Sequence, residues 1–419
     1  MTAPPRLWTS LVPADTTFDS GRVAVRAEGH HIEYADGSTR LCATSGLWNV
    51  PLGYGNPAVT EAVNRAMRDA SYLSLFRAPH RHALEAADAL VDLAGRDDFA
   101  RVVFSTSGGA AIDAVMKLSR QYWAQRAEPA RNVVVGLRGS YHGTMYGSQS
   151  LSGDDLLQQL YAVDRRAIRH VAHDDDGAEL DLLLQREGGR IAAVVVEPVL
   201  GTGAHVLSQA FVDRLLELRE RHRFLLVADE VATGFWRTGP RFASGEWDAA
   251  PDALVLSKAL TNGSMGAAVV LVGPRIASDF VAGGWTFVHG ETQAGSPAVA
   301  AAVLAVLAEF DRIDAAATTR KLGKKLQSLA DGLVSAGLVD AVTGRGCFLG
   351  LALRHAGGEP LSADEVRGLV AAIAEEGVVV QPGPSGIGLI PAYGYRDAEL
   401  VQLDLALRTA LGELREARA

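Results

Sequence analysis

Cysteine is scarce. Cys42 and Cys347 are the two present in 419 residues. Two thiols so far apart exclude a disulfide scaffold, offer no metal-ligand spacing and fit a reducing compartment. Long apolar runs are also missing. The most apolar helical stretch, residues 298–307, is half of the ~20 residues that a membrane span requires. Residues 1–15 carry Pro4, Pro5 and Pro13 but no apolar centre, so no secretory leader is expected. These absences together predict a cytoplasmic protein. Positive charge is in deficit, with 40 Lys and Arg against 49 Asp and Glu, a net charge of -9. A nucleic-acid partner needs clustered basic residues, so none is expected. What remains is an ordinary soluble composition, 48% hydrophobic and 21% charged. The length exceeds one hydrophobic core, which predicts a large domain with smaller lobes.

Short β-branched runs alternate with longer amphipathic stretches. The runs at 101–105, 133–137, 191–196, 224–228, 253–256 and 268–272 lack a polar face and read as buried strands. Between them, 110–126 and 209–223 read as helices. This alternation implies a mostly parallel sheet with helices on both faces. The N-terminal part differs, with strand-like 23–26 and 31–34 and a turn at Asp36-Gly37. From about Asp311 a basic helix with Lys321, Lys324 and Lys325 opens a small α+β lobe, with strands at 339–343, 348–353 and 377–380. The expected division is an N-terminal segment 1–50, a large domain 51–310 and a small domain 311–419.

Three segments carry chemistry. Ser105-Thr106-Ser107-Gly108-Gly109-Ala110 follows a strand and opens a helix. Glycines let backbone N–H groups approach an anion, and the helix terminus adds unpaired donors and a favourable dipole. A phosphate fits there, and so does a plain N-cap. Asp229 ends a buried strand, where open α/β sheets place ligands. It needs a cationic or donor partner, which a protonated pyridine nitrogen or a structural Arg can supply. Lys258 ends another buried strand. Desolvation there would lower its pKa and make it a nucleophile toward an aldehyde; a snorkelling surface lysine is the bland alternative. A phosphate cradle, an acid for a ring nitrogen and an imine-forming lysine are together what pyridoxal 5'-phosphate (PLP) requires.

From about Gly46 to the C-terminus the sequence resembles the class III (ω-type) aminotransferases of PLP fold type I. The matching segments occur in order: Leu47-Trp48-Asn49-Val50-Pro51-Leu52-Gly53-Tyr54-Gly55, Ser107-Gly108-Gly109, Tyr141-His142-Gly143, Val196-Glu197-Pro198, Asp229-Glu230-Val231, Lys258, His289-Gly290-Glu291-Thr292 and Arg345-Gly346. The resemblance implies a large PLP-binding domain and a small α+β domain formed by the C-terminal part with the N-terminal segment. It implies a Schiff-base lysine at Lys258 and a ring-nitrogen acid at Asp229. Ser107, Gly108 and Gly109 would hold the phosphate. Tyr141 and Val231 would cover the two ring faces, with His142 and Glu197 close by. Thr292 would reach the phosphate of a neighbouring subunit, which implies a homodimer with shared active sites. Trp48, Tyr72 and Gln381 fall where relatives contact substrate. No metal is implied.

The chain also departs from the pattern. Gly109 and Ala110 stand where a Ser and an acidic residue are usual. The loop Thr261–Gly266 is one residue shorter than usual and lacks a common proline. Glu291, Gln293 and Ser296 replace aromatics or His; for Glu291 the readings are negative charge brought near the cofactor or a cationic substrate, and an ordinary salt bridge, the second being the one expected. Trp236 replaces a small residue. Relatives that hold an α-carboxylate with an arginine do so at one of two positions: Gln381 stands at the one used by ω-amine enzymes and Gly388 at the one used by ornithine- and GABA-type enzymes. Arg77 and Arg237 are the candidates to compensate, Arg237 being more often structural. The expected function is transfer of an amino group from an amine or amino-acid donor to a ketone or aldehyde acceptor, by a ping-pong mechanism. One substrate would lack an adjacent carboxylate, as a biosynthetic intermediate or a modified peptide end does. The alternatives are a racemase, aminomutase or decarboxylase of the same fold, and a cofactor-binding scaffold that has lost turnover.

Overall fold

In the computed structural model, residues 6–14, 16 and 20–416 are described. Residues 1–5 and Asp15, part of the stretch read above for a leader, lie outside the described residues. The N-terminal part forms β1 (Ala24–Glu28), β2 (His31–Tyr34) and β3 (Thr39–Cys42), joined antiparallel. The apolar runs then give β4 (Arg101–Ser105), β5 (Val133–Leu137), β6 (Ile168–Val171) and β7 (Ile191–Val196). A two-residue ribbon follows, β8 (Val199–Leu200) with β9 (His205–Val206). Next come β10 (Leu225–Asp229), β11 (Ala253–Leu256) and β12 (Ala268–Val272). The C-terminal part adds β13 (Ala341–Arg345), β14 (Phe348–Ala352), β15 (Val378–Val379), β16 (Gln381–Pro382) and β17 (Gly386–Leu389).

The large sheet runs β4-β12-β11-β10-β7-β5-β6. Its strands are parallel except β12, which is antiparallel to both neighbours. Two reversals cancel, so β4 points the same way as β11, and the carboxyl ends of six strands share one edge. Every residue of β5, β7, β10, β11 and β12 is buried, because helices cover both faces and leave no polar side to present. β4 is partly exposed despite its apolar sequence, since it lies at the sheet's edge.

Two boundaries differ usefully from the expected ones. The strand expected over 224–228 occupies Leu225–Asp229, so Asp229 is its last residue. The helix expected from Ala110 begins at Gly108, capped by Ser107, whose hydroxyl accepts from Ala110 N at 3.2 Å. That capping bond draws Gly108 and Gly109 into the first helical turn.

The N- and C-terminal parts share a sheet, since β15 pairs in parallel with β3. A second antiparallel sheet, β13-β14-β17-β16, lies beyond it. Apolar side chains of Ala315–Ser335, Ala363–Glu375 and Asp397–Glu416 pack into the same core as β11 and β12. Both cysteines are buried and free. Among the described residues no helix is long and apolar enough to cross a membrane.

Candidate active site

Strand direction assembles the site. Asp229 closes β10, Lys258 stands two residues past β11, Glu197 follows β7 directly, and His142 lies in the loop after β5. All four therefore sit along the carboxyl edge. Asp229 is 4% exposed. Its Oδ1 accepts from Val231 N at 3.1 Å, and its Oδ2 lies 2.7 Å from Nδ1 of the buried His142. Burial works against a charge on His142, but the hydrogen bond and charge of Asp229 outweigh it and raise the imidazole's pKa. The other ring nitrogen of His142, Nε2, is buried without a protein partner. Glu197 accepts from Tyr141 N at 2.8 Å and Gly201 N at 3.0 Å, and burial pushes its carboxyl up to about 7.

The Lys258 amine lies 4.1 Å from the centre of the Trp48 indole. Burial pulls it down to about 8, against the opposing charges of Asp229 and Glu197. A lysine that deprotonates near 8 is a usable nucleophile and base at neutral pH. Uptake of a carbonyl cofactor by the empty enzyme needs the neutral amine. The uptake rate is therefore expected to rise with pH and level off above about 8, which stopped-flow absorbance between pH 6 and 10 would check. A rate flat across that range would contradict the depressed pKa.

Trp48 is held over the amine by an unusual turn. Ser45, Gly46, Leu47 and Trp48 have φ of 40°, 58°, 56° and 71°, a left-handed run. Such geometry costs about 1–2 kcal/mol per non-glycine residue, so the surroundings must impose it. Ser45 Oγ donates to Ile390 O at 2.7 Å, and Trp48 N donates to Thr44 O at 2.7 Å. The buried Arg237 donates from Nη2 to Trp48 O at 2.7 Å and from Nη1 to Ser45 Oγ at 3.4 Å. Arg237 is thus committed to the turn and is not free to receive a substrate carboxylate. Truncation to alanine would orphan the Trp48 carbonyl and leave a cavity beside Tyr393. We expect Arg237→Ala to cost about 2–4 kcal/mol, read as a lowered urea midpoint, together with a reduced kcat/KM.

At the glycine turn, a Cβ on Gly108 would come within 3.2 Å of both Val231 methyls. One on Gly109 would come within 3.2 Å of Met145 and of Ser148 Oγ. Glycine is needed there because the backbone approaches Val231 and the 143–148 loop so closely. Glu291 makes the salt bridge expected of it only as a long contact, 3.8 Å to Nε2 of His289, an imidazole whose pKa is lowered by burial. It also binds the β4–helix loop, accepting from Ser105 Oγ at 2.5 Å, Thr106 N at 3.0 Å and Thr106 Oγ1. Burial opposes its charge, but these bonds prevail and hold its carboxyl below the usual range.

The structure thus brings together Trp48, Lys258, Asp229, His142 and Glu197, with Gly108 against Val231. Tyr141 is tied to Glu197 through its backbone, while the residue as a whole is 41% exposed. Thr292 is exposed and its carbonyl accepts from Tyr72 Oη at 2.8 Å. Tyr72 is therefore anchored to the Thr292 segment. Gln381 lies directly across the β16–β17 pair from Gly388, so the two alternative arginine positions are one place, and a neutral amide occupies it. Arg77 is exposed. Sequence reasoning missed three features: the left-handed turn, the anchoring of Trp48 by Arg237, and the binding of Glu291 to the loop. Gly46 alone signalled the first, and the other two depend on long-range contacts.

These residues fit PLP. A buried carboxylate already paired with an imidazole can hold a ring nitrogen. The free N–H groups at the start of the helix capped by Ser107 can take a phosphate, and the enclosed amine can join an aldehyde.

The aminotransferase class-III family model matches residues 15–411. An acetylornithine aminotransferase of Mycobacterium tuberculosis is 33% identical over 92% of the chain and 91% of that protein. A putrescine–pyruvate aminotransferase of Pseudomonas aeruginosa is 31% identical over 74% of the chain and 73% of that protein. Among solved structures, a PLP-bound amine transaminase from an uncultivated Pseudomonas species superposes with a TM-score of 0.90. Its identity is 28%, over 98% of this chain and 99% of that one.

Proposed function

The chain belongs to the class-III aminotransferases, and from that premise we propose that it carries an amino group from an amine or amino-acid donor to a ketone or aldehyde acceptor in two separate half-reactions. It is a PLP-dependent enzyme of fold type I. The observation that carries the mechanism is the enclosed Lys258 amine beside the buried Asp229–His142 pair.

When bound, PLP supplies an aldehyde that joins amines and a ring that withdraws electrons from the bond to be broken. Lys258 would hold it covalently, Asp229 would keep its ring nitrogen protonated, and His142 would keep Asp229 oriented and charged. Ser107, Gly108 and Gly109 would bind the phosphate, with Tyr141 and Val231 on the two ring faces. Lys258, freed by the donor, takes the proton from the donor's amine-bearing carbon and holds it for return. Glu197 braces Tyr141 and the loop at Gly201. Trp48 bounds the pocket and excludes water from the amine.

The substrate reading rests on charge. Arg237 is occupied, and Gln381 faces Gly388 where a guanidinium fork would otherwise meet a carboxylate. One substrate is therefore an amine or carbonyl without an adjacent carboxylate, as in a biosynthetic pathway that processes a natural product or a modified peptide end. Steady-state rates across ketones, aldehydes and 2-oxo acids test this reading. Parallel double-reciprocal plots are expected, with at least one carboxylate-free substrate preferred. Exclusive use of 2-oxo dicarboxylates in both half-reactions would overturn it.

The proposal includes a cytoplasmic homodimer with shared sites. Exposed Tyr72, Phe76, Tyr141 and Val288 support it, since apolar surface gathered near a site is commonly covered by a partner. Thr292 of a second copy would reach the phosphate. Light scattering should give twice the chain mass. The division into 1–50, 51–310 and 311–419 is part of this reading, and the β3–β15 pairing supports grouping the first segment with the last.

A further inference from the structure

The stretch 285–296 has no helix or strand, yet its backbone is fastened at intervals by side chains from elsewhere. Gln121 Nε2 donates to Thr286 O at 2.8 Å, and Lys117 Nζ to Val288 O at 3.3 Å. Tyr72 Oη donates to Thr292 O at 2.8 Å, and His80 Nε2 bonds Gly295 O at 2.9 Å. The stretch itself contributes one charged tether, Glu291, whose three bonds reach Ser105 and Thr106. Those two residues immediately precede the N-cap Ser107. The loop from Ser105 to Ala110 has no acidic side chain of its own. One carboxylate therefore joins the strand side of the glycine turn to the residue next to Thr292.

We propose that Glu291 is a positioning residue for the phosphate end of the cofactor: a latch that fixes the Ser105–Ser107 turn and the Thr292 segment against each other. The inference rests on the reading that Ser107, Gly108 and Gly109 receive the phosphate. Glu291 itself does not touch it. The carboxylate lies on the strand side of the cap, where its hydrogen bonds hold the turn open for backbone donors to face an anion. A residue acting this way is replaceable by a neutral acceptor of the same shape, because glutamine still accepts from Thr106 N. Alanine does not.

The test is the affinity of the cofactor-free, full-length enzyme for PLP, by absorbance titration, in three variants. Glu291→Ala is expected to weaken PLP by roughly tenfold or more, the loss expected when the Ser105 and Thr106 donors are left without their acceptor. Glu291→Gln is expected to stay within about threefold of the parent. Hydrogen exchange should quicken over 286–292 and 105–107 in the alanine variant, with the unfolding midpoint little changed. Unchanged PLP affinity in Glu291→Ala would overturn the latch. Equal tenfold losses in both variants would also overturn it, since charge and not hydrogen bonding would then be acting. Should the alanine variant fail to fold, Thr106→Val removes one of the three bonds from the other side and is expected to weaken PLP in the same direction; no change there would count against the latch. Gly108→Val separates the two readings. If it leaves PLP affinity intact, the phosphate assignment itself fails. If it weakens PLP while Glu291→Ala does not, only the latch fails.

Discussion

Lys258→Ala is expected to lower turnover by about 10⁴-fold or more, the upper range for loss of a positioned general base, and to remove the visible absorbance of the bound cofactor. Two functions would be lost together, because in the proposed mechanism one amine both holds the cofactor and carries the proton. Lys258→Arg separates charge from proton transfer. A guanidinium keeps the positive charge near Asp229 and Glu197 but does not deprotonate in proteins. It should be as inactive as alanine. Partial activity in the arginine variant, measured by product formation with a saturating donor, would show that the site needs a cation and not a base. The Trp48 contact sharpens the expectation. An amine packed 4.1 Å from an indole centre is shielded from bulk water, so solvent does not readily replace it.

Asp229→Asn is the second large effect. Asparagine preserves the shape but removes the charge from a buried site where His142 sits 2.7 Å away. Preorganised charge in a water-poor site is worth far more than in solvent, and loss of one such element costs about 10²–10³-fold in kcat. A drop of that size is expected, with PLP still bound. The His142 imidazole, held above its ordinary pKa by Asp229, should become easier to deprotonate in the variant. The stability sign follows from this. A His raised in the folded state stabilises at low pH, and that contribution is lost as pH rises through its folded pKa. The parent therefore loses stability over a window extending above the ordinary His value; in the variant, burial is left to pull the imidazole below its ordinary pKa, so that loss should vanish and stability should instead rise with pH through the ordinary His range. Comparing unfolding midpoints between pH 5 and 9 checks the shift. An unshifted profile would mean that the pair is not coupled as described.

Much of this site was legible because strand ends are legible. Val255-Leu256 before Lys258, and Leu225 through Ala228 before Asp229, are apolar on both faces, so the first charged residue after each run must lie at the sheet's rim. Sequence also exposed Ser107 as a cap ahead of paired glycines. The reversed direction of β12 was not readable, because Ala268–Val272 has the same buried pattern whichever way it runs. Trp48 was ambiguous for a different reason. Its place depends on four left-handed residues held by Ile390, some 340 positions away, and by Arg237, and local propensity disfavours that conformation. For Glu291 a lone carboxylate in sequence suggested only a cation, and its His289 contact is the longest it makes, at 3.8 Å. Its closer partners turned out to be two hydroxyls and a backbone N–H, groups that any sequence offers everywhere. Gln381 and Gly388 stand at the arginine positions of two different groups of relatives, and only strand pairing showed that the two positions face each other.

The central claim is that one particular amine is joined to the cofactor. The chain has five lysines, Lys117, Lys258, Lys321, Lys324 and Lys325, so reduction of the PLP-loaded enzyme with borohydride, followed by peptide mass spectrometry, gives an unambiguous answer. The account predicts the phosphopyridoxyl mass on the peptide containing Lys258 and on no other. Its appearance on one of the other four lysines, with Lys258 unmodified, would contradict it.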